Sequence, residues 1–221
     1  MDYLKTPVGE LAAAIPGATR LFRQHRIDFC CGGDEPLEQA LAVRRIDPTA
    51  FTEALAGLAA PPVHGTDWRA APLARLIEHI VESFHERHRR QLPELLALAR
   101  KVEQVHERHP ACPRGLAGRL AALQGELESH MQKEERVLFP LILQGDGNRV
   151  TTPVSVMRYE HDQHGLALAQ IRAAAHDLVL PADACATWRA CYQGLEQLIS
   201  DLMEHIHLEN NVLFPRAIEQ V

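Results

Sequence analysis

Twice in this chain a histidine is followed four residues later by a glutamate and then by Val-Leu-Phe-Pro. The copies are Ser129-His130-Met131-Gln132-Lys133-Glu134-Glu135-Arg136-Val137-Leu138-Phe139-Pro140 and Glu204-His205-Ile206-His207-Leu208-Glu209-Asn210-Asn211-Val212-Leu213-Phe214-Pro215. On a helix, positions i and i+4 lie one above the other on the same face, about 6 Å apart. An imidazole and a carboxylate so placed can grip one metal ion or two neighbouring ones. Two copies predict two helices, each supplying half of one site.

The apolar period decides which way these side chains face. Leu116, Leu120, Leu123 and Leu127 lead into His130, Glu134, Val137 and Leu141. Trp188, Cys191, Leu195, Leu198 and Leu202 lead into His205, Glu209 and Val212. The spacing alternates three and four without a break, so the His and the Glu continue the core-facing stripe. Two further patterns carry histidine on the same stripe: Ile77, Val81, His85, His88, Leu92, Leu95 and Val154, Met157, His161, His164, Leu168, Ile171. A buried carboxylate needs a partner or a metal. His85 lies 45 residues before His130, and His161 lies 44 before His205. The chain therefore reads as one helix pair used twice, with the site between the halves.

Imidazole and carboxylate without thiolate suit iron or manganese, and zinc less exclusively. Four His and two Glu exceed what one tetrahedral zinc takes, which predicts two metals bridged by carboxylates. His130, Glu134, His205 and Glu209 are the ligands the motif names. One histidine from each of the other two helices completes the set. Period leaves His85 or His88, and His161 or His164, open, and the member that does not ligate can hydrogen-bond beside the metal.

These ligands require an all-α fold: a small helical N-terminal domain (1–62) followed by an antiparallel four-helix bundle (67–221). Short helices are predicted over 8–15, 18–25, 36–45 and 48–58, with Asp28-Phe29-Cys30-Cys31-Gly32-Gly33 forming a turn. A Pro/Gly break over 60–66 marks the boundary. The long helices are predicted from Pro72 past His88, over 115–143, over 153–178 and over 183–218. Pro93 should kink or divide the first. Short connections make neighbours antiparallel.

Composition narrows the function classes. A net charge of −6 disfavours nucleic acid as a partner. No apolar run approaches the roughly 18–20 residues that span a bilayer, and no signal peptide is visible, so neither membrane nor export is expected. Five cysteines without regular spacing argue against a disulfide framework, and a reducing cytoplasm is the expected location. Thirteen histidines, most of them after residue 78, point instead to metal.

The His-x-x-x-Glu elements, the paired helices and the Val-Leu-Phe-Pro endings resemble the hemerythrin-like bundle. The upstream Asp-Phe-Cys-Cys-Gly-Gly, with its lead-in over Ile15 to Phe22, narrows this: almost the whole chain resembles the iron–sulfur cluster repair di-iron proteins. That resemblance implies two non-haem iron ions in an oxo- and carboxylate-bridged centre held by His85, His130, Glu134, His161, His205 and Glu209. It also implies repair of clusters damaged by oxidative or nitrosative stress, by iron delivery or by nitric oxide turnover. Iron–sulfur proteins would be the clients, nitric oxide or oxygen the small ligands, and an unspecified reductant the electron donor. A homodimer is one arrangement in which thiols could reach a bundle. The resemblance leaves open whether the chain is an enzyme, nitric oxide reduction being the candidate activity. Oxygen-carrying hemerythrins use a fifth histidine one turn after the third helix's ligand and an Asp as second carboxylate. Here the candidate fifth is His164, three residues on, and the second carboxylate is Glu209, which argues against simple oxygen carriage.

Cys30 and Cys31 are expected to act as a functional thiol pair, a role that rests on the resemblance; by composition they would be buried turn residues. Cys112, Cys185 and Cys191 carry no pattern. His79, His106, His109, His176 and His207 are expected at the surface, Glu160 as a solvated carboxylate, and the Glu82–His85 spacing as chance. The rivals to repair are an oxygen or nitric oxide sensor and a structural zinc bundle.

Overall fold

The computed structural model describes residues 2–58, 66–145 and 147–219. Among them every regular element is helical, with one isolated bridge between Pro7 and Pro36. The Pro/Gly break over 60–66 lies, Thr66 apart, outside the described residues. Four short helices come first: α1 (Val8–Ala14), α2 (Ala18–Gln24), α3 (Leu37–Arg44) and α4 (Pro48–Leu58). Four long ones follow. α5 joins Leu73–Ile80, a π turn at Val81–His85, and Glu86–Val105. α6 joins Leu116–Lys133, a π turn at Glu134–Leu138, and Phe139–Leu143. α7 is Gly147–Ala174. α8 joins Ala186–Leu208, a π turn at Glu209–Leu213, and Phe214–Ile218.

The long helices close a ring, α5 packing on α6 and α8, and α7 on α6 and α8. Their buried apolar residues fall into two clusters. One holds Leu76, Phe84, Leu138, Ile142, Met157 and Phe214. The other holds Leu92, Leu127, Leu168 and Leu202, and continues through Val8, Phe22, Phe29 and Leu55 of the N-terminal helices. Each long helix passes from one cluster to the other at its histidine or glutamate. The polar side chains therefore form a layer sealed on both sides by hydrocarbon, where an unpaired charge is costly.

Two expectations about proline are corrected. Pro93 does not divide its helix, because Glu86–Val105 runs through it with the ring on an exposed face. There the stranded carbonyl of Arg89 can turn to water. Pro153 does not start α7, which begins six residues earlier at Gly147. The apolar phase also slips in α6. Val137 is 51% exposed, while Leu138 and Ile142 are buried. The π turn inserts one residue, which rotates everything after Glu134 by about 100°.

Candidate metal centre

Six of the predicted ligands meet in the layer, at most 1% exposed. They form two tetrads, His85–Glu134–His205–Glu209 and His130–Glu134–His161–Glu209, in each of which the ligand atoms lie within 4.8 Å of one another. His85 Nε2 is 3.1 Å from His205 Nε2, and His130 Nε2 is 3.0 Å from His161 Nε2. Each carboxylate divides its oxygens between the tetrads. Glu134 Oε1 lies 3.2 Å from His130 and Oε2 lies 3.5 Å from His85. Glu209 Oε1 lies 3.3 Å from His205 and Oε2 lies 3.1 Å from His161. None of these four oxygens has a hydrogen-bond partner.

Three π turns supply the geometry: His85 closes one, and Glu134 and Glu209 open the others. A π turn widens the helix by one residue, and such turns recur at functional sites.

The far side of each ring fixes where its Nε2 points. His85 Nδ1 is bound to Glu135 Oε1 at 2.7 Å, and His130 Nδ1 to Glu160 Oε2 at 2.9 Å. His161 Nδ1 is bound to Asn210 Oδ1 at 2.9 Å. An Nδ1–H donating to an oxygen leaves the Nε2 lone pair facing the layer. Glu135 is steadied by Arg89 at 2.9 Å, and Glu160 by an ion pair with Lys133. The hydrogen bond from His85, with Arg89 behind it, holds the Glu135 carboxyl below its usual range. Burial disfavours charge on His130, yet Glu134, with Glu209 and Glu160 behind it, raises its pKa to about 9. Burial next to His85 instead holds His205 well below the usual imidazole value.

The donor set fits metal. Ligands about 2.1 Å from a shared cation stand about 3.0 Å apart in octahedral and 3.4 Å apart in tetrahedral geometry. The nitrogen–nitrogen and nitrogen–oxygen separations above fall close to that range. Residues 76–217 match the hemerythrin HHE cation binding domain, and residues 4–59 match ScdA_N, a domain of unknown function (DUF542). The chain is 53% identical to the "iron-sulfur cluster repair protein YtfE" of Edwardsiella ictaluri, over all of both chains. It is 51% identical to the protein of that name from Musicola paradisiaca, over 99% of this chain and 98% of the relative. To the Escherichia coli protein of that name it is 50% identical, over 99% of each. The chain belongs to the iron–sulfur cluster repair family.

In this member of the family the alternative histidines stand apart from both tetrads. His88 is buried with neither ring nitrogen partnered, and burial next to His205 holds its pKa well below the usual value. His164 is likewise buried, its Nδ1 unpartnered, and burial beside His130 lowers it to about 3. Neither makes the hydrogen bond expected of the member that does not ligate. Glu82 is exposed.

Two surface expectations are corrected. Glu160 is a hydrogen-bond acceptor for His130, because α7 carries it across to α6. His207 is 2% exposed, covered by Phe29 of the N-terminal turn, with ring centroids 5.5 Å apart. His79, His106 and His109 are half-buried, and His176 is exposed. His79 stacks on Trp68, and His106 lies 3.2 Å from the Cys185 thiol. Sequence reasoning missed Glu135 and Asn210. The available signal was position alone, since each directly follows a predicted ligand glutamate.

The Cys30–Cys31 turn docks on this layer. Asn210 Nδ2 donates to the Cys30 carbonyl and Asn211 Nδ2 to the Phe29 carbonyl, both at 2.9 Å. The Cys31 thiol donates to the His161 carbonyl at 3.4 Å. Gly9 and Gly33 let the turn close, since a Cβ on either would stand 2.5 or 2.7 Å from Asn211 Oδ1. The Cys31 thiol, burial and Asp28 together push the Cys30 thiol well up, which disfavours Cys30 as a free thiolate nucleophile.

Proposed function

We propose that this chain repairs damaged iron–sulfur clusters, and that His85, His130, Glu134, His161, His205 and Glu209 hold two iron ions. The observation that carries this reading is the pair of tetrads sharing two carboxylates, all four oxygens of which are buried without a hydrogen-bond donor. Two anionic groups in such a place need cations. Bound iron supplies a redox-active centre for nitric oxide or oxygen and a store from which iron can be delivered. Glu135, Glu160 and Asn210 hold three rings with Nε2 inward, so the ligands are aimed before metal arrives. Leu76, Phe84, Leu138 and Leu202 exclude water on either side.

Because the ligands are at most 1% exposed, a client cluster cannot touch them. Only an ion or a diatomic ligand can pass between layer and client. Residues 1–62 and 67–221 are two domains on this reading, the first closing one side of the second. A reducing cytoplasm agrees with five free cysteines, and no helix among the described residues is long and apolar enough to cross a membrane.

Glu134→Leu with Glu209→Leu should lower bound metal from two ions per chain to fewer than one, measured by elemental analysis. Retention of both refutes the bridging assignment. The iron-loaded protein should restore activity to a cluster enzyme inactivated by nitric oxide. No recovery, or a colourless protein with stoichiometric zinc, refutes the repair reading.

A further inference from the structure

We propose a second metal site, built from thiolates, at the N-terminal turn: Asp28, Cys30 and Cys31 bind one thiophilic divalent cation of the zinc or ferrous type. Asp28 Oδ1, Cys30 Sγ and Cys31 Sγ all lie within 4.8 Å of one another. The two sulfurs are 3.7 Å apart, and Cys30 Sγ is 3.3 Å from Asp28 Oδ1. A tetrahedral cation with metal–sulfur bonds of about 2.3 Å sets its sulfurs about 3.8 Å apart, and a sulfur and a carboxylate oxygen about 3.6 Å apart. The pair is therefore already spaced as an edge of such a site, and much too far apart for a disulfide of about 2.05 Å.

The turn is pre-formed for this. Asp28 Oδ1 accepts the backbone N–H of Cys30 at 3.1 Å and of Cys31 at 3.0 Å. Those bonds hold the carboxylate oxygen beside the sulfurs before a cation arrives. Behind the turn, Asn210 and Asn211 grip the Cys30 and Phe29 carbonyls. Gly165 of α7 packs beside Cys31; a Cβ there would stand 3.4 Å from its sulfur, an ordinary van der Waals contact.

The site is also reachable and electrostatically supported. Asp28, Cys30 and Cys31 line a groove of about 1180 Å³ between α2 and the α7–α8 face of the bundle. Asp28 is exposed and Cys31 half-buried, so the fourth position of a tetrahedron opens into the groove. Three anionic ligands around a divalent cation leave one negative charge. Arg20 and Arg172 line the same groove and offset part of it; Arg23 and Arg26 line it too but are paired with Glu204 and Asp177, and Asp162 and Glu196 add negative charge. Without a cation, two thiols and a carboxylate crowd together and the Cys30 proton is held tightly. Binding would displace both thiol protons to solvent. This site differs in kind from the His/Glu layer, which has no sulfur, and it stands whether or not that layer holds iron.

The test is a Co2+ titration of reduced, full-length protein whose His/Glu layer is already loaded with metal. One further equivalent should bind, with thiolate-to-cobalt charge-transfer absorption in the near ultraviolet, release of two protons, and displacement of Co2+ by stoichiometric Zn2+. Cys31→Ser, and Cys30→Ser with Cys31→Ser, should abolish the band and the extra equivalent while the metal content of the His/Glu layer stays unchanged, which also reports a folded chain. Asp28→Asn keeps the turn's acceptor oxygen but loses the charge, and should weaken the extra binding about tenfold. Absence of a thiolate band in the parent protein overturns the proposal. So does a band that survives Cys30→Ser with Cys31→Ser, or a Cys30–Cys31 disulfide that forms in place of binding.

Discussion

The two copies of the His-x-x-x-Glu motif diverge at the residue after the glutamate, and the divergence tracks what each copy faces. In the first copy Glu135 accepts from His85 and turns outward to Arg89. In the second, Asn210 accepts from His161 with its oxygen and donates with its nitrogen to the Cys30 carbonyl. A carboxylate there would set acceptor against acceptor and bury a charge. The Asn210 amide has both a lone pair and an N–H to offer, and a carboxylate has no N–H. The next position repeats the lesson: Arg136 is exposed, whereas Asn211 donates to Phe29 and is paired with His207. One copy is finished by solvent and salt bridges, the other by the N-terminal turn.

Breaking that distinction most severely, Asn210→Asp should cost about 2–4 kcal/mol, read as a lower melting temperature of the metal-free protein. Tolerance of the change would mean that the turn does not depend on Asn210. Of about the same size is a pH effect from His130, whose charge Glu134 favours. Its folded pKa of about 9 lies above the free imidazole value near 6.5. The stability it contributes is therefore present in full below about pH 6.5 and is lost as pH rises through about 9. Up to about 3 kcal/mol should disappear across that window in metal-free protein, and little in metal-loaded protein, where a cation replaces the proton. A flat stability profile for the metal-free chain would count against the assignment.

Smaller effects separate the two ring partners. Asn210→Ala leaves the His161 N–H and the Cys30 carbonyl unpaired and should lower metal affinity by about 10–100-fold. Glu135→Ala should lower it by about tenfold, and Glu135→Gln by less, since the acceptor oxygen remains. Equal losses for all three, in a competitive chelator titration, would erase the difference between the copies. Smallest, Asn211→Ala should cost about 1 kcal/mol and Arg136→Ala less than about 0.5 kcal/mol, compared by denaturant unfolding.

How far these relations can be read from sequence depends on their range. His130 with Glu134 and His205 with Glu209 are legible because an i,i+4 pair on one helix is local, and apolar phase says which face it occupies. After Glu134 apolar phase puts Val137 inside, yet Leu138 lies there, because nothing in a periodic pattern announces a π turn. Period alone could not separate His85 from His88 or His161 from His164, since all four are buried. Glu160 and His207 were misplaced because their partners, His130 and Phe29, come from other elements.

The sequence by itself determined the donor types, their helical phase, the doubled helix pair and the all-helical fold, since these follow from residue chemistry and from contacts within a few residues. Tertiary structure alone decided that each glutamate divides its oxygens between two tetrads. It also decided that Glu135, Glu160 and Asn210 aim three rings, and that the Asp28–Cys30–Cys31 turn lies against the layer. The physical reason is separation along the chain. The aiming contacts join residues 30 to 50 positions apart, and the tie from Asn210 to Cys30 spans 180. Only the packed helices bring such residues within hydrogen-bonding distance.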